Sequence, residues 1–191
     1  MRWSPLTGTI CAMEHLGGTD AVSRLARGAR SPYAMYRRTV ARHPQCPPGI
    51  LAVLLHDSDP SVREAAAAHP NLEAHHIIVC AASTDSDMVV AVTTNPVTPA
   101  RVLNQIYSRI AAGSLRRHYD ICYNLAYHPN TPACVLNELH HHSSVAISLA
   151  ALRHPRASAD ALTEQASHHR GSVRLVVAGH RNTPADVIKK S

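Results

Sequence analysis

A 26-residue phrase that opens on His-Pro constrains this chain more than any other feature of its sequence. The phrase runs from His128 to Arg153 as HPNTPACVLNELHHHSSVAISLAALR, and the same apolar spacing begins again at His154. Recurrence at this length is typical of a solenoid, in which each unit can bury its apolar face only against neighbouring units. We therefore expect a stack of short, similar helical units.

The X-Pro pairs define the units. The intervals between unit starts are all 26 residues, except for the unit at 95–127, which has 33 residues. The starts are Gly17, His43, His69, Asn95, His128 and His154, with a last partial start at His180. The sequence thus predicts one helical-repeat domain over 1–191, with an N-terminal cap at 1–16, six repeats at 17–179 and a partial C-terminal repeat at 180–191.

Two short helices are predicted in each unit. A Thr-Pro pair precedes three of the first helices, and we expect the threonine hydroxyls to cap them: Thr98-Pro99, Thr131-Pro132 and Thr183-Pro184. One apolar position recurs in the first helix and should be buried in every unit. It is occupied by Leu25, Leu51, Ile77, Leu103, Leu136, Leu162 and Ile188.

The second helix of each unit should end before a proline, because proline disfavours the helical conformation in the residue that precedes it. That residue is a histidine or an asparagine: His43, His69, Asn95, His128 and His154. A side chain that both donates and accepts can satisfy backbone groups at a helix end. We interpret this row as a structural ladder rather than as a catalytic or metal-binding row.

The net charge of +6 lies in the C-terminal part of the chain. Residues 1–87 carry eight acids and eight bases, whereas residues 88–191 carry five acids and eleven bases. Such an asymmetry concentrates anions, so an acidic protein surface or a nucleic acid is the expected class of partner. The use of 17 arginines against 2 lysines also fits a compositional bias.

The cysteines indicate a reducing compartment. The five of them are dispersed without a CxxC pair, which fits neither a disulfide framework nor a zinc site: Cys11, Cys46, Cys80, Cys122 and Cys134. No apolar run approaches the length of a membrane span, and the N-terminus has no apolar secretion segment. We therefore predict a cytoplasmic protein that needs no membrane and no cofactor.

The phrases SVREAAAAHP and NPVTPARVLNQI resemble the repeat of the leucine-rich-repeat-variant family, which reads roughly V-R-x-A-V-A-x-N-P-x-T-P-x-x-L-x-x-L. The resemblance covers residues 17–188. It implies an all-α, right-handed α-solenoid of about six two-helix repeats with a short second helix of α or 3-10 type; HEAT-like helix pairs are the neighbouring alternative. Some family members carry an N-terminal iron–sulfur cluster, but only Cys11 precedes Cys46 here, so that cofactor is not expected.

The long unit at 95–127 holds the predicted binding residues, since insertions in solenoids commonly lie on a binding face. Tyrosine and arginine are enriched at binding hot spots, and no acid occurs from Met88 to Tyr119. The predicted set is Arg101, Tyr107, Arg109, Arg116, Arg117, His118, Tyr119 and Tyr123. In the alternative interpretation, the helices of this unit are simply longer and its tyrosines, Tyr127 included, thicken the core.

Other candidate chemistry is weaker. The runs His140-His141-His142 and His168-His169 should lie at equivalent interhelix turns of adjacent units, and His75-His76 early in its first helix. All three runs lack an acidic or cysteine co-ligand at a defined spacing, so we assign them to the solvated surface and predict no metal site. The carboxylates of Asp57-Ser58-Asp59 and Asp85-Ser86-Asp87 precede second helices, where they can cap free amides. No nucleophile, phosphate-loop or metalloprotease string occurs, so no catalytic residue is predicted.

The sequence favours a non-enzymatic scaffold that binds a protein partner, with an acidic surface preferred, through a curved surface centred on the long unit. The alternative function is nucleic-acid binding without base readout, through the basic C-terminal half. The open C-terminal end of the stack could also pair two copies of the chain.

Overall fold

The computed structural model describes residues 19–188, and every regular element in that range is a helix. No strand occurs among these residues, which agrees with an α-solenoid repeat fold. The helices are α1 (Thr19–Gly28), α2 (Ala34–Ala41), α3 (Pro48–Leu54), α4 (Pro60–Ala67), α5 (Ala74–Ala82), α6 (Ser86–Thr94), α7 (Ala100–Ala111), α8 (His118–Tyr127), α9 (Ala133–Leu139), α10 (Val145–Arg153), α11 (Ala159–Gln165), α12 (Gly171–Gly179) and α13 (Ala185–Ile188).

The chain divides into two compact units, residues 1–76 and 77–191. In the first unit α2 packs against α4, and α3 packs against both. In the second unit α8 packs between α6 and α10, and α10 packs in turn against α12. The predicted organisation as one domain stays a prediction, and the predicted N-terminal cap at 1–16 lies outside the described residues.

Both helices of a repeat are α-helices. The second helices have eight to ten residues, so the 3-10 form left open by the sequence does not occur in the described repeats. Three of the first helices, α3, α9 and α11, are shorter, with seven residues each. Packing against neighbouring helices must stabilise them, because helices this short do not persist alone in water.

The predicted buried position of the first helix is confirmed in six units and wrong in the last. Leucine or isoleucine is buried at residues 25, 51, 77, 103, 136 and 162. Ile188 is 48% exposed, whereas its neighbour Val187 is buried. The four-residue helix α13 presents Val187 to the apolar cluster that includes Leu162 and Val177, and Ile188 therefore falls on the other side.

The threonines of the Thr-Pro pairs do not cap the helices that follow them. Thr98 donates to the carbonyl of Val92, and Thr131 donates to the carbonyl of Leu125, six residues back in each case. The N-cap residues of α7 and α9 are the prolines themselves, without a side-chain cap. A buried hydroxyl thus adds a second hydrogen bond to a carbonyl near the end of the preceding second helix, which also accepts the backbone N–H of Asn95 or His128.

The carboxylates assigned to second-helix caps are confirmed. Asp59 accepts the backbone N–H of Ser61 at 2.9 Å, and Asp85 accepts that of Asp87 at 3.0 Å. Asp57 accepts the backbone N–H of Asp59 at 2.9 Å and also two N–H groups of the Arg37 guanidinium at 2.6 and 2.7 Å. These contacts account for Asp57, Asp59 and Asp85 as parts of the fold.

We predict that Leu136→Ala lowers the free energy of unfolding by about 2 to 5 kcal/mol, because it leaves a cavity in the core of the second unit. Leu175→Ala is the matched control, since Leu175 is 76% exposed and its truncation should cost less than about 0.5 kcal/mol. Urea unfolding followed by helical circular dichroism measures both values. Equal losses in the two variants would show that the first-helix position is not core.

Candidate binding surface and histidine cluster

The histidines before each proline join successive repeats through hydrogen bonds. In the second unit the imidazole Nε2 of His128 lies 2.8 Å from the carbonyl oxygen of Asn95, and that of His154 lies 3.0 Å from the carbonyl of His128. His180 extends the row to the carbonyl of His154 at 3.1 Å. The predicted structural ladder is confirmed within this unit. The first unit contains one such bond, from His69 to the carbonyl of His43.

The other ring nitrogen closes the turn that follows. The Nδ1 atom of each of these histidines accepts the backbone N–H of the residue two positions on, at 3.0 to 3.2 Å: His43, His69, His128, His154 and His180. A carbonyl can only accept and a backbone amide can only donate. The rings that make both bonds are therefore neutral and carry their proton on Nε2.

Burial holds two of these rings in the neutral form. Removal from water is the main cause that lowers the pKa of His128 below its ordinary value, and the hydrogen bond to the carbonyl of Asn95 partly opposes it. The pKa of His154 is lowered for the same main reason, again against the bond to the carbonyl of His128. Protonation would also place a second N–H on Nδ1, against the amide that it accepts.

The extra residues of the long unit lengthen its first helix and widen the turn that follows. Helix α7 has 12 residues, against seven in α9 and α11. The turn after it contains Gly113 at φ 70° and Arg117 at φ 57°. A left-handed conformation is uncommon for a residue with a side chain, so the local contacts of Arg117 must stabilise it.

Two of the four predicted arginines form ion pairs or hydrogen bonds with neighbouring residues of the repeat stack. Arg117 pairs with Asp87 at 2.5 Å and with Asp120 at 2.8 Å, the two acids that flank the acid-free stretch. Arg109 donates to the carbonyls of Ala81 and Ser83, at the end of α5. Their positive charges are thus partly matched by local carboxylates and carbonyls, which argues against a role for them as free cations.

The other two arginines and the predicted histidine face solvent. Arg101, on the first turn of α7, and Arg116, in the wide turn, are exposed. His118 is exposed at the first residue of α8. None of the three side chains makes a hydrogen bond or ion pair with another described residue. They remain available to a ligand.

Three tyrosines form an exposed stripe along α8. Tyr119, Tyr123 and Tyr127 are 52, 40 and 58% exposed, and their spacing of four residues places them on one helix face. Neighbouring ring centres lie 6.3 and 4.9 Å apart. Tyr107, by contrast, is partly buried, and this burial raises the pKa of its hydroxyl. The interpretation of a thickened core therefore fits Tyr107 and fails for the stripe.

Neighbouring second helices extend this stripe with apolar side chains. Val90, Leu149 and Leu175 occupy the repeat position of Tyr123 on α6, α10 and α12, the helices that pack beside α8 or beside one another. Val90 and Leu149 are partly exposed, and Leu175 is largely exposed. We call the stripe and these three residues the tyrosine face. An exposed apolar patch of this kind is typical of an interaction site.

The histidine runs separate into turn residues and a cluster. His142 and His168 occupy equivalent repeat positions, and the Nδ1 atom of each accepts the backbone N–H two residues on, at 3.0 Å. His140 and His141 instead approach Glu164 of α11, with Nε2–Oε2 distances of 3.3 and 3.7 Å. The sequence analysis missed Glu164 as an acidic neighbour of this run. Its offset of 24 residues from His140, two short of the repeat period, was the available signal.

A cavity of about 310 Å³ lies between the two interhelix turns that carry these runs. Its lining includes His140, His141 and His142 from one turn and His168 and His169 from the next. The sequence analysis placed both runs at equivalent turns of adjacent units, and that placement is confirmed. The run at His75-His76 lies at the start of α5, also as predicted.

Comparison with known proteins agrees with this repeat architecture. The family model described as leucine rich repeat variant matches residues 37–59. Residues 37–59 are therefore similar to one repeat of that family. This match confirms the resemblance drawn from the residues, within a segment that spans α3 and the end of α2.

One similar solved structure is described as a leucine-rich repeat variant with a novel repetitive protein structural motif. It is 23% identical, the alignment covers 85% of this chain and 71% of that chain, and the TM-score is 0.39. No curated protein matches the chain. None of the helices at residues 19–188 has the length and apolar character that crossing a lipid bilayer requires.

We predict that the free energy of unfolding falls as the pH drops below about 6.5, the ordinary pKa of histidine. The folded-state pKa values of His128 and His154 are lowered, so the unfolded chain binds protons first and acid favours it. The loss should continue until the pH passes below these lowered values. Urea unfolding at a series of pH values measures it.

The variant His128→Asn isolates one ring, because it places at this position the amide that Asn95 carries in the preceding repeat. It should lower stability at neutral pH and flatten the pH dependence. His118→Asn is the control, since His118 is exposed. An unchanged pH slope in His128→Asn would contradict a neutral ladder.

Proposed function

We propose that this chain is a non-enzymatic repeat scaffold that binds an acidic protein surface through the tyrosine face. The exposed stripe at Tyr119, Tyr123 and Tyr127 is the observation that carries the proposal, because three solvent-exposed tyrosines in mutual contact serve no evident purpose in the core. Tyrosine supplies a large contact area and a hydroxyl that can donate to a carboxylate, with little loss of side-chain entropy.

The charge around the tyrosine face supports an acidic partner. Arg153 occupies the repeat position of Tyr127 on the adjacent helix α10 and is exposed. Arg116 lies in the turn that leads into α8, also exposed. A central aromatic area with cations at its margin is an arrangement that binds carboxylates through planar, two-pronged hydrogen bonds.

The alternative function, nucleic-acid binding, is less well supported. Phosphate binding requires several free cations, and the local contacts of Arg109 and Arg117 reduce the number that the long unit can offer. The tyrosine face could still stack on unpaired bases. We therefore retain nucleic acid as an outcome of the experiment below.

The cysteines support a reducing compartment as part of the proposal. Burial raises the pKa of the Cys46, Cys80 and Cys122 thiols to about 11. Such thiols are almost entirely protonated near neutral pH and unreactive. None of the four described cysteines takes part in a disulfide, and Cys134 is an exposed free thiol, which favours the cytoplasm.

The test is affinity capture with the chain immobilised and extracts of its own cells as the source of partners. We expect the double variant Tyr123→Ser and Tyr127→Ser to lose the captured protein, with a loss of affinity of about tenfold or more, because exposed tyrosines at an interface centre act as hot spots. Tyr33→Ser is the control, since Tyr33 is 66% exposed but lies in the first unit. Unfolding curves should show no loss of stability beyond about 0.5 kcal/mol per substitution.

The salt dependence separates the two functions. Binding to an acidic protein through the tyrosine face should weaken only several-fold between about 50 and 200 mM salt, because salt screens the arginines at its margin but not the central aromatic contacts. Phosphate binding falls by orders of magnitude over that range. Fluorescence anisotropy with labelled single- and double-stranded oligonucleotides gives the second measurement. Capture that is equal in the tyrosine variant and the control, or tight oligonucleotide binding that salt abolishes, would contradict the proposed function.

A further inference from the structure

The turn after α9 brings two imidazoles and a carboxylate into one cluster within the second unit. One donor atom from each of His140, His141 and Glu164 lies within 4.8 Å of the other two. We propose that these three residues bind a divalent transition-metal ion of the zinc class. The site is separate from the tyrosine face, and it does not depend on the proposed function.

The distances fit the size of such an ion. Zinc takes imidazole nitrogen and carboxylate oxygen at about 2.0 to 2.2 Å, so two ligands of one tetrahedral ion lie about 3.3 Å apart. The Nε2 atoms of His140 and His141 lie 3.3 and 3.7 Å from Glu164 Oε2. All three donor atoms lie within 4.8 Å of one another, so rotation of the exposed His141 and Glu164 side chains would bring them to the spacing of one ion, while the buried His140 stays in place.

His140 is an unusual residue for its position. The equivalent residues of the other 26-residue repeats are apolar: Ala29, Leu55, Ala81 and Ala166. The side chain of His140 is only 4% exposed, and its Nδ1 atom is buried without a hydrogen-bond partner among the described residues. A buried polar nitrogen without a partner costs stability, so the packing of the repeat does not explain a histidine at this position.

The ladder histidines show what a structural histidine looks like in this protein. His128 and His154 are similarly buried, and both of their ring nitrogens are bonded to the backbone. His140 contacts only the half-exposed carboxylate of Glu164. The backbone carbonyl of His140 accepts the hydroxyl of Ser148 at 2.7 Å, which ties the turn to α10. The Nε2 atom of His140 thus has no backbone partner, unlike that of the ladder histidines, and can ligate an ion beside Glu164.

The donor set selects the class of ion. Two imidazoles and one carboxylate suit zinc, cobalt and nickel, whereas calcium and magnesium prefer sites made of oxygen ligands. Three protein ligands leave at least one position for water or an added ligand. His140 and His141 also line the cavity of about 310 Å³, which offers space for that ligand. The ion would join the turn after α9 to α11 of the following repeat.

Zinc binding to the full chain, produced without a polyhistidine tag, tests the assignment. Isothermal titration with zinc chloride should give one ion per chain. His141→Ala and Glu164→Gln should each weaken binding by about 10- to 100-fold. The double variant His75→Ala and His76→Ala is the matched control: Glu73, His75 and His76 also combine two histidines with a glutamate, but they do not form a three-donor cluster in the described chain. It should bind zinc like the wild type.

Two further readouts separate the site from a change in folding. A hundredfold excess of zinc over its Kd should raise the Tm of the wild type by about 5 to 10 °C, and that of Glu164→Gln by much less. Without metal, the Tm values should agree within about 2 °C, since His141 and Glu164 are exposed. Cobalt(II) should show the visible absorption of a site with fewer than six ligands.

Several results would overturn the assignment. They are the absence of zinc binding, unchanged affinity in both site variants, or an equal loss in the His75 and His76 control. The last of these results would identify diffuse binding to exposed histidines. A cobalt spectrum identical to that of the hydrated ion would also count against the three-residue site.

Discussion

The imidazole that follows a second helix makes the hydrogen bond on which the stacking of these repeats depends: His69, His128, His154 and His180. Its Nδ1 atom closes the turn that ends one second helix, and its Nε2–H reaches the backbone carbonyl at the same point of the preceding repeat. One ring therefore fixes both a local turn and the separation between two repeats. Few other side chains offer an acceptor and a donor on opposite sides of a rigid plane.

The groups around the ladder follow from the same turn. The proline stops the helix, and the carbonyls near the helix end and in the turn accept hydrogen bonds from nearby side chains. Thr131 donates to Leu125, and Asn130 donates to the carbonyls of Pro96 and Thr98 in the preceding repeat. Asn182 makes the equivalent pair of bonds from the partial repeat at 180–188. In the His-Pro-Asn-Thr sequence, the histidine, asparagine and threonine side chains therefore each bond to backbone groups of a helix end or turn.

The sequence predicted the parts of the fold that depend on period, because a repeat places equivalent residues in equivalent surroundings. The buried first-helix column and the ladder belong to this class. The direction of a hydrogen bond is harder to predict. Thr98 has a helix after it and a helix before it, and only the positions of the free amides and carbonyls decide which one it caps.

The binding residues were less predictable, because pairing between side chains is decided by distance in space rather than in sequence. The acid-free stretch from Met88 to Tyr119 suggested free arginines, yet Asp87 and Asp120 at its two ends both reach Arg117. Glu164 was overlooked for the same reason, since it lies on α11, the second helix after the histidine run. The exposure of Tyr127 followed from its helix face, but the predicted set did not contain it.

The positions that depart from the repeat pattern are therefore the candidates for function in this chain. A position that keeps one bonding role through the stack serves the stack, as the ladder does. The turn position does so too, since each side chain there accepts the backbone N–H two residues on: Ser31, Asp57, Ser83, His142 and His168. Tyr123 stands where the other second helices of the second unit carry valine or leucine, and the buried His140 stands where the other 26-residue repeats carry alanine or leucine. The first change adds a recognition group to a surface, and the second adds a ligand atom to a turn. Neither change disturbs the packing that the period maintains, so a repeat scaffold can acquire such sites one residue at a time.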